Sequence, residues 1–175
     1  MPTAITLCLD PASASMVEAM WRTLHEQGID SDRHQLGYPP HVSLAICPDD
    51  ARRDRLDAAF ALAKDWARLP VTLSGLGIFA AATSILWVAP TVTAELLARH
   101  AAILGALEGE QIDPYYRADV WVPHITLAES LTDPVAALAA ILPLWRPVVG
   151  FLDRIDLIRF RPVETLRSCS LRADR

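Results

Sequence analysis

The sequence lacks the features that mark secreted, metal-binding and membrane-spanning proteins. Its 175 residues include three cysteines, Cys8, Cys47 and Cys169, which show no C-x-x-C spacing and lie in or beside apolar runs. This pattern predicts buried, reduced thiols in a cytoplasmic protein, and not a disulfide framework or a zinc site. No stretch is apolar enough to cross a bilayer, and the apolar start has no basic leader, so we expect neither a signal peptide nor a membrane partner.

A surplus of positive charge is also missing. The chain has 16 Lys and Arg against 21 Asp and Glu, a net charge of −5, which argues against a protein that coats nucleic acid by neutralising phosphates. If RNA is the partner, we expect recognition of an end or a short piece. The composition is that of a globular protein, and a chain of this length buries roughly 70% of its unfolded surface. We therefore expect one domain over residues 1–175, a monomer that folds without a cofactor.

The most informative feature is a short motif that occurs twice. Residues 40–45 read Pro-His-Val-Ser-Leu-Ala, and residues 123–128, 83 positions later, read Pro-His-Ile-Thr-Leu-Ala. Because successive side chains of a strand point to opposite faces, His41 shares a face with Ser43, and His124 shares one with Thr126. The branched apolar residues between them face a core.

These two pairs are suited to phosphate chemistry. An imidazole exchanges a proton near neutral pH, and a hydroxyl donates a hydrogen bond to an anionic oxygen. Two such pairs across one cleft would supply an acid, a base and two oxyanion donors, which is enough to attack a phosphodiester without a metal. The alternatives are two structural histidines on edge strands, or a zinc site. Zinc is disfavoured because two histidines without a clustered third ligand do not form a typical tetrahedral site.

Hydrophobic periodicity and turn residues predict about seven strands interleaved with four helices. The expected strand runs are Thr3–Leu9, His41–Ile46, Val71–Phe79, Ser84–Ala89, His124–Ala128, Val148–Leu152, Arg154–Phe160 and Thr165–Leu171. The expected helices begin at Ser13 or Ser15, at Pro48-Asp49, at Thr91 or Thr93 and at Asp133-Pro134, and end near Gln27, Arg68, Leu107 and Leu142. This order predicts an α+β fold with two pseudo-symmetric lobes of antiparallel β-sheet, helices packed outside and a central cleft.

Two loops precede the motif strands at matching positions. Residues 28–40 carry Tyr38, and residues 109–122 carry Tyr115, Tyr116, Trp121 and Arg117. If the halves are related by symmetry, both loops flank one cleft, where aromatic rings could stack on a base. Local packing is the alternative for Tyr38, and a solvated loop position is the alternative for Arg117.

The paired His-x-Ser-Leu and His-x-Thr-Leu motifs resemble those of the 2H phosphoesterase superfamily. Residues 73–79, Leu-Ser-Gly-Leu-Gly-Ile-Phe, followed by Ile-Leu-Trp-Val at 85–88, look like the middle hairpin of its 2′-5′ RNA ligase branch, also called RNA 2′,3′-cyclic phosphodiesterases. Residues 154–158, Arg-Ile-Asp-Leu-Ile, and the closing strand are similar to the ending of that branch. The resemblance covers nearly the whole chain.

The resemblance implies that both histidines face one water-filled cleft and act without a metal on a cyclic phosphodiester of a nucleotide or an RNA terminus. It implies that His41 and His124 are the acid and base, with His124 preferred as base. Ser43 and Thr126 would hold the non-bridging phosphate oxygens, and Phe79 would stack on the substrate. Run backwards, with a ribose hydroxyl as nucleophile, the same groups would form a 2′-5′ linkage.

One departure from the family concerns charge. Relatives often have a basic residue after the hairpin phenylalanine, whereas residues 80–84 here read Ala-Ala-Ala-Thr-Ser. This favours a small cyclic nucleotide or a terminal cyclic phosphate over a longer RNA chain, with Arg117 as a replacement charge from the opposite loop. The competing function is a non-catalytic nucleotide or RNA-end binding module on the same fold.

Overall fold

The strands of the computed structural model, which describes residues 1–30 and 32–173, form one antiparallel sheet. They are β1 (Thr3–Leu9), β2 (His41–Cys47), β3 (Leu69–Phe79), β4 (Ser84–Pro90), β5 (Ile125–Leu131), β6 (Val148–Arg159) and β7 (Glu164–Ser170). The strand order in the sheet is β2-β1-β6-β3-β4-β5. The seventh strand, β7, is not part of this order and pairs with β6. The predicted α+β class with antiparallel pairing is confirmed, and the two lobes are joined by a continuous sheet.

Helices follow the strands and lie outside the sheet. They are α1 (Pro11–Glu26), the short α2 (Asp32–Gln35), α3 (Arg53–Ala61), α4 (Ala94–Ala106) and α5 (Pro134–Ile141), with 3₁₀ turns at Leu62–Asp65 and Pro114–Tyr116. Thr93 caps α4 and Asp133 caps α5, as predicted. The start of α1 differs, because the Asp10 carboxylate, and neither Ser13 nor Ser15, accepts the backbone N–H groups of the first turn.

The second helix does not begin at Pro48-Asp49. The Asp49 carboxylate instead pairs with the N-terminal amine at 2.9 Å, and the Arg52 backbone N–H donates to Glu110 at 3.1 Å. With both groups bound elsewhere, α3 starts at Arg53 without a side-chain cap and ends at Ala61. The predicted bounds of this helix, from Pro48-Asp49 to near Arg68, are therefore wrong.

Two further segments differ from the expectation. The break predicted at Asp153 is absent, because β6 runs through it and a register shift opposite Cys8 and Leu9 absorbs the irregularity. The expected loop at 28–40 contains α2; Ser31, within that loop, lies outside the described residues.

The chain is built from two halves with the same order of elements. The first half runs β1-α1-β2-α3-β3, with α2 inserted before β2, and the second runs β4-α4-β5-α5-β6. Each half contributes its last strand to the other: β3 pairs with β4, and β6 pairs with β1. The helices also cross over, since α1 packs on α5 and α3 packs on α4. The halves therefore interlock, and the repeat extends well beyond the motif.

This topology brings the two motif strands together. In the sheet order β2 and β5 lie at opposite ends, yet they contact each other without pairing. The sheet must therefore curve until its two edges face one another. The inward side chains of β2 and β5 are in the buried apolar core, so their polar faces are turned towards the gap between the edges.

Cys8 and Cys47 are buried, Cys169 is half-buried, and none of the three is in a disulfide. Among residues 1–30 and 32–173, no helix has both the length and the apolar character needed to span a membrane.

Candidate active site

The motif side chains alternate between core and cleft as the sequence predicts. In β2, Val42 and Leu44 are fully buried, whereas His41 and Ser43 are partly exposed on the opposite face. In the second motif Ile125 and Leu127 are buried, and His124 and Thr126 are partly exposed. Burial of one face therefore fixes the register that presents the other.

All four polar motif residues line one cavity. His41, Ser43, His124 and Thr126 surround a space of about 270 Å³, which is close to the size of a phosphate group with part of a sugar. The two imidazoles thus face a shared cavity and do not point into separate interiors.

Both imidazoles are held in the same way. His41 Nδ1 lies 2.8 Å from the carbonyl oxygen of Pro39, and His124 Nδ1 lies 2.8 Å from that of Val122. A carbonyl oxygen only accepts, so Nδ1 carries the proton in each neutral ring. The unprotonated Nε2 of each ring is left free, as a base must be.

The surroundings of the two histidines affect their protonation unequally. The pKa of His41 is lowered to about 4, mainly by burial; the charges of Arg33 and His124 act in the same direction, and the bond to Pro39 and the carboxylate of Asp156 oppose them. Burial and the charge of Arg33 also lower the pKa of His124, against the bond to Val122 and the carboxylate of Glu129. The pKa of each histidine is therefore below its ordinary value, and the lowering to about 4 holds His41 neutral at pH 7.

Comparison with known families agrees with this geometry. A sequence model of the 2′-5′ RNA ligase superfamily matches residues 10–164. The chain belongs to this superfamily. Membership confirms the resemblance to the 2H phosphoesterases and supports a 2H phosphoesterase-type activity. No curated protein gives a significant match.

Several solved structures share the fold over almost the full chain. TT0787 of Thermus thermophilus matches with a TM-score of 0.68 at 20% identity, covering 100% of both chains. Apo LigT of E. coli matches with a TM-score of 0.65 at 15% identity, covering 98% of this chain and 97% of LigT. LigT complexed with 3′-AMP matches with a TM-score of 0.61 at 14% identity, covering 97% of this chain and 96% of LigT. These likenesses establish the common fold.

Two tryptophans tie the motif strands of this 2H phosphoesterase across its halves. Trp121 is 9% exposed, stacks on His100 with ring centroids 3.8 Å apart, and donates its indole N–H to the Ser43 carbonyl oxygen at 3.2 Å. In the other direction, Trp21 donates to the Thr126 carbonyl oxygen at 3.0 Å. The expectation that Trp121 stacks on substrate is wrong, because its ring is enclosed by the core and its indole fixes a motif strand.

Tyr38 lines the cavity of His41 and His124 but is almost enclosed. Its side chain is 6% exposed, and its hydroxyl bonds to Thr6 at 2.7 Å and to the buried carboxylate of Asp156 at 2.8 Å. The ring meets His41 edge-on, with centroids 4.9 Å apart. These contacts agree with the alternative of local packing, in which Tyr38 supports the His41 ring and does not stack on a base.

Three of the predicted aromatic residues do share a second cavity. Phe79, Tyr115 and Tyr116 line a largely apolar space of about 570 Å³ that opens beside His124. Phe79 stacks on Trp87 and meets His124 edge-on at 5.0 Å between centroids. Tyr116 and His124 line both cavities, so the two spaces adjoin.

The charged groups at the site are not those expected from the sequence. Arg117 is exposed and does not line either cavity. The charged lining residues are instead Arg33, Glu129 and Arg161. They come from three separate segments of the chain. Only Arg33 could have been identified from the sequence, because it lies in the loop before the first motif.

Metal ligands are not grouped in the part of the chain that the structure describes. Over residues 1–30 and 32–173, no three His, Cys, Asp or Glu side chains are arranged to hold a metal ion.

The lowered pKa of His41 predicts how stability depends on pH. Between pH 6.5 and about 4 the unfolded chain binds a proton at this histidine that the folded protein does not, so stability should fall as the pH falls through this window. In His41→Asn this contribution is absent, and urea unfolding should show a smaller loss of stability between pH 7.5 and 5 than in the wild type. Above pH 7 the two proteins should respond to pH in parallel. Equal losses in the acid window would contradict the assignment.

Proposed function

We propose that this protein is a metal-independent phosphodiesterase that opens 2′,3′-cyclic phosphates of nucleotides or of RNA ends. The observation that carries the proposal is the matched pair of imidazoles, each held through Nδ1 by a carbonyl two residues earlier, with both rings facing one small cavity. Proton transfer needs free Nε2 atoms near one reacting centre, and this arrangement supplies two. Family membership supports the reaction class.

The four motif residues divide the reaction among them. The hydroxyls of Ser43 and Thr126 donate to the non-bridging phosphate oxygens, whose negative charge increases as water attacks phosphorus. One histidine takes a proton from the attacking water while the other protonates the departing ribose oxygen, so a P–O bond forms to water as the P–O bond to ribose breaks. In reverse, with a ribose hydroxyl in place of water, the same steps would form a 2′-5′ linkage.

The electrostatics favour the opposite assignment of acid and base from the one preferred on sequence. A base must be neutral before the reaction. The neutral form is favoured more strongly at His41 than at His124, because burial lowers the pKa of His41 to about 4. An acid must carry a proton; the pKa of His124 is also lowered, but by less than that of His41, and the carboxylate of Glu129 opposes the lowering. We therefore assign His41 as the base and His124 as the acid.

The adjoining apolar cavity provides a place for the nucleobase. A cavity of about 570 Å³ lined by Phe79, Tyr115 and Tyr116 can enclose a base beside a phosphate held between the histidines, and aromatic rings bind bases by stacking with little preference among them. The structural relative LigT has been solved in complex with 3′-AMP, which supports a nucleotide as the ligand class.

Turnover with and without the histidines tests the reaction. In excess chelator, the wild-type protein should hydrolyse nucleoside 2′,3′-cyclic phosphates, and His41→Ala and His124→Ala should each be slower by about 10² to 10⁴. His25→Ala, which changes a histidine on α1 outside both cavities, serves as the matched control and should retain full activity. Full activity in either motif variant, or loss of wild-type activity on chelation, would refute the mechanism. Binding without turnover would identify a nucleotide-binding module instead.

A change of leaving group separates the acid from the base. A nucleotide diester that releases 4-nitrophenolate needs no proton on the leaving oxygen, so removing the acid should matter less for it than for a cyclic phosphate. We expect the fold-loss of rate in His124→Ala to be at least about tenfold smaller on the 4-nitrophenyl diester than on the cyclic phosphate. The fold-loss in His41→Ala should be about equal on both substrates. The reverse pattern would assign His124 as the base.

Removal of one aromatic ring tests the nucleobase cavity. Phe79→Ala should raise the KM for a nucleoside 2′,3′-cyclic phosphate by about 5- to 100-fold, because stacking contributes about 1–3 kcal/mol per base. Ribose 2,3-cyclic phosphate, which has no base, should show little change in KM and is the control. Equal effects on the two substrates would show that Phe79 acts only through its contact with His124.

A further inference from the structure

Two arginines have no role in the reaction described above and line the phosphate cavity, the space of about 270 Å³ between His41 and His124. Arg33, from the short helix α2, is the more buried of the two, 10% exposed against 48% for Arg161. Its positive charge also lowers the pKa of both histidines.

The guanidinium of Arg33 is buried with a donor left over. Its side chain is 10% exposed, and its Nε–H is enclosed without a hydrogen-bond partner among the described residues. A guanidinium carries five N–H donors in a fork that matches the oxygens of a phosphate. Buried donors are almost always paired, so the guanidinium of Arg33 has hydrogen-bonding capacity that its partners in the described structure do not use.

The ion pairs around Arg33 leave it available to an anion. Its Nη2 contacts Glu129 and lies 3.4 Å from Asp32. Glu129 is not dependent on this contact, because Arg161 also pairs with it at 3.1 Å and pairs with Asp32 as well. If Arg33 turned part of its fork towards a bound anion, both carboxylates would keep a positive partner.

The size of the cavity restricts where such an anion can lie. A space of about 270 Å³ is about 8 Å across if it is taken as a sphere. An anion held there by Ser43 and Thr126 would share this space with the Arg33 guanidinium on the cavity wall, and opposite charges attract at such separations.

We infer that Arg33 is a further phosphate-binding residue, which donates to the non-bridging oxygens alongside the hydroxyls of Ser43 and Thr126. The inference rests on the proposed function for the identity of the anion as a reacting phosphate. It identifies Arg33 as a cation that favours a charged phosphoester over an uncharged nucleoside, a part that no residue of the repeated motif can fill.

Inorganic phosphate is the probe that tests this inference apart from turnover. By isothermal titration with the full chain in chelator, Arg33→Met should bind phosphate about 10- to 100-fold more weakly than the wild type, the range expected for hydrogen bonds to a charged group. Arg33→Lys should recover part of the affinity through its charge. Arg167→Gln removes an exposed arginine that pairs with Asp57 at 3.1 Å away from the cavity, and it should bind phosphate within about twofold of the wild type.

Thermal unfolding of each variant separates binding from folding. Phosphate affinity within about threefold of the wild type in a folded Arg33→Met protein, or an equal loss in Arg167→Gln, would overturn the inference. The proposed function fails separately, if the wild type binds phosphate but does not open a cyclic phosphate. An Arg33 variant that melts near the wild-type temperature and has lost phosphate affinity supports a role in binding and not only in holding α2 against β5.

Discussion

The exchange of the last strands between the two halves is the constraint on which the rest of the structure depends. Because β3 pairs with β4 and β6 pairs with β1, neither half can complete its part of the sheet alone, and β2 and β5 are left as the edges that face one another. The indoles of Trp121 and Trp21 then bind the backbone of each motif strand from the opposite half. The spacing of the two motif strands is thus set by the interlocking of the halves, and the carbonyls of Pro39 and Val122 in the preceding loops orient the rings.

The phosphate cavity concentrates groups that are unfavourable without an anion beside them. Two histidines with lowered pKa values share a small space with the buried cation Arg33, whose Nε–H has no partner in the described structure. The buried charge with its unpaired donor opposes the stability of the fold at any pH, and the two histidines oppose it only where the pH is low enough to protonate them in the unfolded chain. An anion in the cavity would offset both costs, which is the differential binding that the proposed function needs.

What can be predicted from the sequence follows from short-range pattern. The alternation at His41–Leu44 and His124–Leu127 fixes the face of each side chain within one strand, and the caps Thr93 and Asp133 act within one turn of a helix. The rest depends on contacts between distant segments. Arg33 meets Glu129 across 96 residues and Trp121 reaches Ser43 across 78, so no local pattern connects them. For the same reason the predicted start of α3 is wrong, since Asp49 and Glu110 contribute to contacts that only the tertiary fold creates.

The two motifs have the same local geometry but different surroundings, and this difference can assign two roles to identical side chains. Behind His41 lie Tyr38 and the buried Asp156, a polar network whose hydrogen bonds are already made among its own members. Beside His124 lie the rings of Phe79 and Trp87 on one side and the carboxylate of Glu129 on the other. A symmetric pair would titrate as one coupled unit with no preferred direction for the proton. Unequal neighbours make the two histidines differ in proton affinity. The histidine of a duplicated strand can therefore serve as the base in one copy and as the acid in the other.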